Sequence, residues 1–282
     1  MMRSLWSAAS GMLAQQTNLD TIANNLSNVN TAGYKKDTVE FKSLLYQTLQ
    51  SPSTNNTGEN KPVPAQVGLG TRTGSITTVF TQGNLQDSDT NTFMAIEGSG
   101  FFKVRDENGE TCYTRDGSFD LQPVAGGGTM LCTSQGHPVL DQRGNTIVFP
   151  ASVGIDDITV DTDGNIFVPG GMNGQKIPLT SVQNGQAYAQ AIGVVQFNNP
   201  AGLNSVGNNM YKETVASGAP LEEVNNPGLK KSQIHQGYLE MSNVQVADEM
   251  VNMIVAQRAY EMNSKAIQAS DEMLQQANNL RG

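Results

Sequence analysis

Glycine and proline are concentrated in the middle of this 282-residue chain. Residues 1–45 hold two glycines, Gly11 and Gly33, and no proline. Residues 240–282 hold Gly282 and no proline, so the other 26 glycines and all 11 prolines lie between. Glycine costs backbone entropy inside a helix and proline removes a hydrogen-bond donor, so both gather where helices are absent. The chain therefore divides into two helix-permissive ends and a turn-rich centre. Charge follows the same division: the ends carry +1 and −3, which leaves −7 of the net −9 to the centre.

Both ends are periodic. Leu5, Ala8, Met12, Gln15, Leu19, Ile22, Leu26 and Val29 step by three and four, the stripe of a helix that packs on other helices. The run Asn30-Thr31-Ala32-Gly33 predicts a stop near Asn28. The far end carries the stripe Val244, Ala247, Val251, Val255, Ala259, Met262, Ala266, Ala269, Met273, Ala277 and Leu280, with Ile254 among its apolar positions. Its mean step is about 3.6 residues, one straight apolar face. Ser242-x-x-Gln245 predicts a capping box, Asp248 and Glu249 suit the positive end of the helix dipole, and Glu261 and Lys265 are spaced as an i,i+4 pair. Helices of about 38 and 55 Å pair most simply with each other and then with copies of themselves. The alternative is an ordinary helical core face.

The centre reads as β. Phe101–Val104, Cys112–Thr114 and Ile158–Val160 are short apolar runs followed by Asn108-Gly109, Asp116-Gly117 and Asp163-Gly164. Ile192–Phe197 and Met210-Tyr211 are further strand candidates. Residues 51–66 are polar, contain Pro52, Pro62 and Pro64, and read as a loop or extended strap. The expected class is α+β and multidomain, with long terminal helices forming a coiled-coil domain and a central all-β domain. The expected divisions are 1–33 plus 240–282 for the helical domain, 34–70 plus 228–239 for a connecting segment and strap, and 71–227 for the β-rich domain.

Chemistry is hard to place on this sequence. A pI of about 4.7 disfavours nucleic acid as a partner, and no apolar run approaches the length of a membrane-spanning helix. The N-terminus lacks the apolar core of a cleaved secretion signal. Two histidines are too few for a His-based metal cluster. Cys112 and Cys132 could pair in an oxidising space or serve as small core residues. Asp161-Thr162-Asp163-Gly164-Asn165 lacks the further acidic ligands of a calcium loop and reads as a hairpin turn. Asp156 and Asp157 have no placed carboxylate partner for glycoside chemistry. No phosphate-binding glycine loop or nucleophile elbow is present. No cofactor is expected.

The longer motifs carry a resemblance. Ala23-Asn24-Asn25-Leu26-Ser27-Asn28-Val29-Asn30-Thr31-Ala32-Gly33-Tyr34-Lys35 resembles the N-terminal signature of bacterial flagellar rod and hook proteins, with Ala23, Asn24, Asn25, Asn28, Gly33 and Tyr34 as its family positions. Ser242-Asn243-Val244 through Ile254, and Gln257 through Ala266, resemble the other end of the same family. Gly98–Val104 and Tyr113–Phe119 resemble its β-domain motif. Length and the segment Phe41–Gln50 followed by 51–86 are most similar to the distal-rod branch.

The resemblance implies a non-enzymatic subunit of a hollow helical tube that crosses the periplasm, transmits torque and passes exported subunits. The implied inner layer is helical, with Leu5, Met12, Leu19, Ile22, Leu26 and Val29 on one helix and Val244, Val251, Ile254, Val255, Met262, Ala266 and Met273 on the other as assembly positions. Implied partners are copies of itself, proximal rod and hook subunits, the P and L rings in Gram-negative members, and the flagellar type III export gate. Phe41-x-x-x-Leu45 resembles the export-gate motif of such substrates; an ordinary apolar pair is the alternative. Pro52, Pro62 and Pro64 are expected to stiffen a strap along neighbouring subunits. The rival expectations are a proximal rod or hook subunit, or a secreted glycan-binding or glycan-active β protein.

Overall fold

The computed structural model describes residues 2–50, 53–54, 60–61, 65–124, 127–170, 176–183, 186–224, 226 and 228–280. Pro52, Pro62 and Pro64 lie outside the described residues. The chain forms two compact units, one from residues 1–27, 37–78 and 245–282, the other from 28–36 and 79–244. The α+β class is as expected, but the divisions fall elsewhere. Residues 71–78 group with the helices, and 28–36 with the β-rich unit.

In the first unit, helix α1 runs Met2–Ser27 and helix α2 runs Val246–Asn279. They pack antiparallel: Ser4 meets Ser270, Gly11 lies under Asn263, and Asn25 reaches Glu249. Gly11 leaves room there: a Cβ would stand 2.8 Å from Asn263 Nδ2, so the Asn263 side chain would have to shift. The chain beyond the N-terminal helix forms one antiparallel arm. Strand β1 (Asp37–Ser43) is followed by β2 (Tyr46–Gln50), β3 (Ser53–Thr54), β4 (Asn60–Lys61), β5 (Ala65–Gly68) and β6 (Thr71–Thr78). These pair as β1 with β6, β2 with β5, and β3 with β4. The expected strap is therefore, where described, a hairpin paired with itself. Asn25 fixes its base, donating to the Asp37 carbonyl at 2.8 Å and accepting the Asp37 N–H at 2.9 Å.

Three local expectations at the helices fail. Ser242 and Gln245 do not form a capping box: Gln245 is the N-cap without a side-chain bond, and Ser242 Oγ accepts the Val244 N–H instead. Glu261 pairs with Arg258 at 3.0 Å, not with Lys265. Val29 and Val244 lie outside both helices, in the β-rich unit.

The second unit opens with β7 (Leu85–Asp87), β8 (Met94–Glu97), β9 (Phe101–Arg105) and β10 (Thr111–Thr114). Its largest sheet has the spatial order Asn204–Gly207, Met210–Lys212, β10, β9, Val194–Gln196, Leu221–Glu222. Two three-stranded sheets come from segments within 119–149 and 159–178. The last strands return to the first: Gln233–Gln236 pairs with β8, and Tyr238–Glu240 with β7. The Asn108-Gly109 and Asp163-Gly164 turns form as predicted, with Gly109 at φ +82° and Gly164 at +83°. Asp161 to Asn165 is a hairpin turn, closed by Asp161 N–H to Asn165 O at 3.0 Å.

One apolar core runs through this unit, including Met94, Ile96, Phe102, Phe119, Leu131, Ile147, Phe149, Ile166 and Ile234. A second gathers Phe101, Tyr113, Val195, Phe197 and Tyr211 with edge-to-face ring contacts. Such offset aromatic pairs add to the burial of their area. Cys112 and Cys132 are free thiols buried in this unit, and burial pushes both thiols up.

Candidate assembly surface

Helix α2 has two unlike faces. The face on α1 is narrow and largely small or polar: Glu249, Ala256 and Ser270 are buried, and Met253, Asn263, Ser264 and Ile267 are half-buried. The predicted apolar stripe is on the other side. Val251 is 59% exposed, Ile254 55%, Val255 62%, Met262 65% and Met273 49%, and Ala266 is exposed as well. The stripe therefore does not pair the helices; the small and polar face does, because Gly11 and the two serines let the backbones approach. Helical periodicity reports that an apolar face exists, not what covers it.

On α1 the predicted stripe is turned inward. Ile22 is buried, and Leu5, Met12, Leu19 and Leu26 are half-buried. Trp6, at 73% exposure, and Leu13 face solvent one heptad apart. Together with Met250 and the α2 stripe, these side chains make many exposed apolar positions on the helix pair. A single soluble chain rarely shows so many, and such surfaces mark contact sites.

The hairpin arm repeats this behaviour. Phe41 lies on β1 and is exposed; Leu45, between β1 and β2, is 82% exposed, and Tyr46 and Leu49 on β2 are exposed too. Gly70 has φ +111°, and a Cβ there would run into the Ser10 hydroxyl, so this glycine lets the arm lie against α1.

The remaining signature positions have local structural work. Asn28 Oδ1 accepts the Thr31 hydroxyl at 3.1 Å. Gly33, at φ +69°, stands with its Cα against the Asp116 backbone, where no Cβ fits. Tyr34 is half-buried, and Ala23 and Asn24 are exposed. Sequence reasoning missed Lys35, Arg115 and Glu240, which meet in a buried ion cluster within the β-rich unit. No local pattern could have found it, since 205 positions separate Lys35 from Glu240. Burial lowers the Lys35 ammonium pKa, and the adjacent Glu240 opposes that shift. Among the described residues, no group of three or more His, Cys, Asp or Glu side chains could hold a metal ion.

Known proteins match these same segments. Residues 5–35 match the family described as flagella basal body rod protein. Residues 95–168 match the flagellar hook protein FlgE/F/G D1 domain, and 235–280 the flagellar basal body rod FlgEFG protein C-terminal family. The chain is 46% identical to the flagellar basal-body rod protein FlgG of Borreliella burgdorferi, over 100% of this chain and 99% of the relative. The chain belongs to the flagellar basal-body rod protein family. It is also 42% identical to the FlgG rod protein of Buchnera aphidicola, over 99% of this chain and all of the relative, and 37% identical to that of Bacillus subtilis, over the full length of both. The two terminal rod-family matches take in most of α1 and all of α2, the elements that carry the exposed apolar positions.

Proposed function

We propose that this member of the rod family is a structural subunit of the distal rod, polymerising with copies of itself into a hollow helical tube that transmits torque from motor to hook. The observation that carries the reading is the outward apolar stripe of α2. An isolated chain leaves Val251, Val255 and Met262 in water, and a second helix supplies what they lack. In this reading the helix pairs form a coiled-coil inner layer and the β-rich units an outer one. No reaction is assigned to the subunit. Proximal rod and hook subunits are the axial neighbours, and P and L rings surround the tube in a Gram-negative cell.

The test is electron microscopy of the purified chain under polymerising conditions. Straight tubes are expected. A chain that stays monomeric at every concentration and ionic strength, with its helices ordered, would overturn self-assembly. Turnover of cell-wall fragments that is lost on Asp156→Asn or Asp163→Asn would favour the glycan-active reading instead.

Two segments take subsidiary roles. Phe41 and Leu45 are the export-gate contact of the unfolded chain, so Phe41→Ala with Leu45→Ala is expected to reduce secretion, and unchanged secretion removes that role. Residues 51–66 form a strap that cross-braces neighbouring subunits. Deleting residues 51–66 is expected to leave assembly intact and yield curved filaments; equally straight ones would sink the bracing idea.

A further inference from the structure

The charges buried in the β-rich unit come from opposite ends of its sequence. Lys35 Nζ meets Glu240 Oε1 at 2.5 Å and donates to the Thr81 carbonyl at 2.8 Å. Arg115 Nη1 donates to Glu240 Oε2 at 3.2 Å, and its Nη2 to the Gly98 carbonyl at 2.6 Å. The Lys35 and Glu240 side chains have no exposed surface, and that of Arg115 is 2% exposed. Among the described residues Arg115 Nε finds no hydrogen-bond partner, and the guanidinium lies over the Phe101 ring at 5.1 Å.

Two cations thus share one anion. Among the described residues, Glu240 is the carboxylate in ion-pair contact with either of them. The nearby Glu223 is already engaged by the Ser232 N–H, the Ser232 hydroxyl and Gln196. Glu240 also accepts the Gly83 N–H with its side chain and the Gly33 N–H with its carbonyl. The residue that closes the final strand therefore pairs with both Lys35 from the start of the unit and Arg115 from its middle. Burying a cation without its partner is strongly unfavourable, whereas the complete group is close to neutral in stability.

We propose that Glu240 is a completion latch: the β-rich unit closes only when its last strand delivers this carboxylate to Lys35 and Arg115. Until then Arg115 cannot be buried at the end of β10 and Lys35 cannot reach the Thr81 carbonyl, so β9 and β10 form no lasting pairing. Folding of residues 28–36 and 79–244 becomes conditional on the chain being present through residue 240. A body of this length, rich in short strands, would otherwise populate partly packed intermediates.

The test is pulsed hydrogen exchange during refolding of the full chain, read by mass spectrometry. Amides of β8, β9, β10 and residues 28–36 are expected to gain protection in the same step as 233–241. Protection of β9 and β10 in a resolved earlier step would overturn the latch. Glu240→Gln keeps the shape and removes the charge. It is expected to raise native-state opening at residues 28–36 and 98–115 by about a hundredfold or more; opening at the wild-type rate would also overturn it. Replacing all three charges (Lys35→Met, Arg115→Met, Glu240→Met) is expected to separate β9–β10 protection from that of 233–241. If the two stay coupled in that variant, the charges are not the cause.

Discussion

Phe101, Phe102, Phe119 and Phe149 in the β-rich unit have 1% exposure or less, while Val255 and Met262 in the helical unit are more than half exposed. The apolar residues fully buried in the helical unit are few and mostly small: Ala8, Ala14, Ile22 and Ala256 among the described residues. The β-rich unit is complete in one chain. The helical unit leaves an apolar face of α2 uncovered, and within the chain it is held by Asn25, Glu249 and a serine pair, with Gly11 at the helix crossing. Apolar side chains in one sequence can thus specify a finished core in one region and an unfinished one in another. Packing geometry, more than composition, decides which.

The sharpest way to break this contrast is Val255→Asp with Met262→Asp. Both side chains face solvent in the single chain, so monomer stability is expected to change by no more than ~0.5 kcal/mol. Filament formation is expected to vanish, because two carboxylates would be buried unpaired in the contact. Filaments of normal length, scored by sedimentation and microscopy, would return this face to ordinary solvated surface.

Phe102→Ala probes the opposite unit and is expected to cost about 3–5 kcal/mol in urea unfolding, the range for emptying an aromatic site in a packed core. A loss below ~1 kcal/mol would mean that the core is loosely filled. Gly33→Ala should cost less, about 1–3 kcal/mol, from its positive φ and the Asp116 backbone beside it. The loss should appear in the β-rich unit, where Gly33 resides, and a loss confined to helix melting would misplace the boundary.

The smallest effect is electrostatic. Asp106 accepts the Glu107 N–H and pairs with Lys212, which lowers its carboxyl below the ordinary 3.8. That stabilisation is present above 3.8 and is lost as pH falls through the lower folded value. Hydrogen bonds from Lys212 to Glu110 and Asp106 raise the lysine well above its ordinary 10.5, so its share is full below 10.5 and is lost at more alkaline pH. The site is solvated, so Asp106→Asn is expected to flatten the acid limb of a stability–pH profile only slightly. A large change would show that the cluster is shielded from water.

Helix existence, the stop after Ser27 and the Asn108-Gly109 and Asp163-Gly164 turns were legible because each rests on local chemistry. The seam between the helices was not. Val251 and Val255 announce an apolar face, but Glu249, Asn263 and Ser270 look like solvated positions until Gly11 brings α1 close. The short strands Ser53–Thr54 and Asn60–Lys61 gave no signal in the sequence, because a backbone ladder can form between polar residues without apolar alternation. Glu240 stayed hidden among ordinary surface acids, since its partners are distant in sequence.

If copies of the chain cover the open face of α2, as proposed, that contact obeys a mass-action rule. A surface satisfied by another copy draws free energy from protein concentration, as a ligand does from its own. Melting of the helical unit should therefore move to higher temperature as the protein is concentrated, while the β-rich unit melts at a fixed temperature. In a calorimeter the same chain would show one transition that moves with concentration and one that does not.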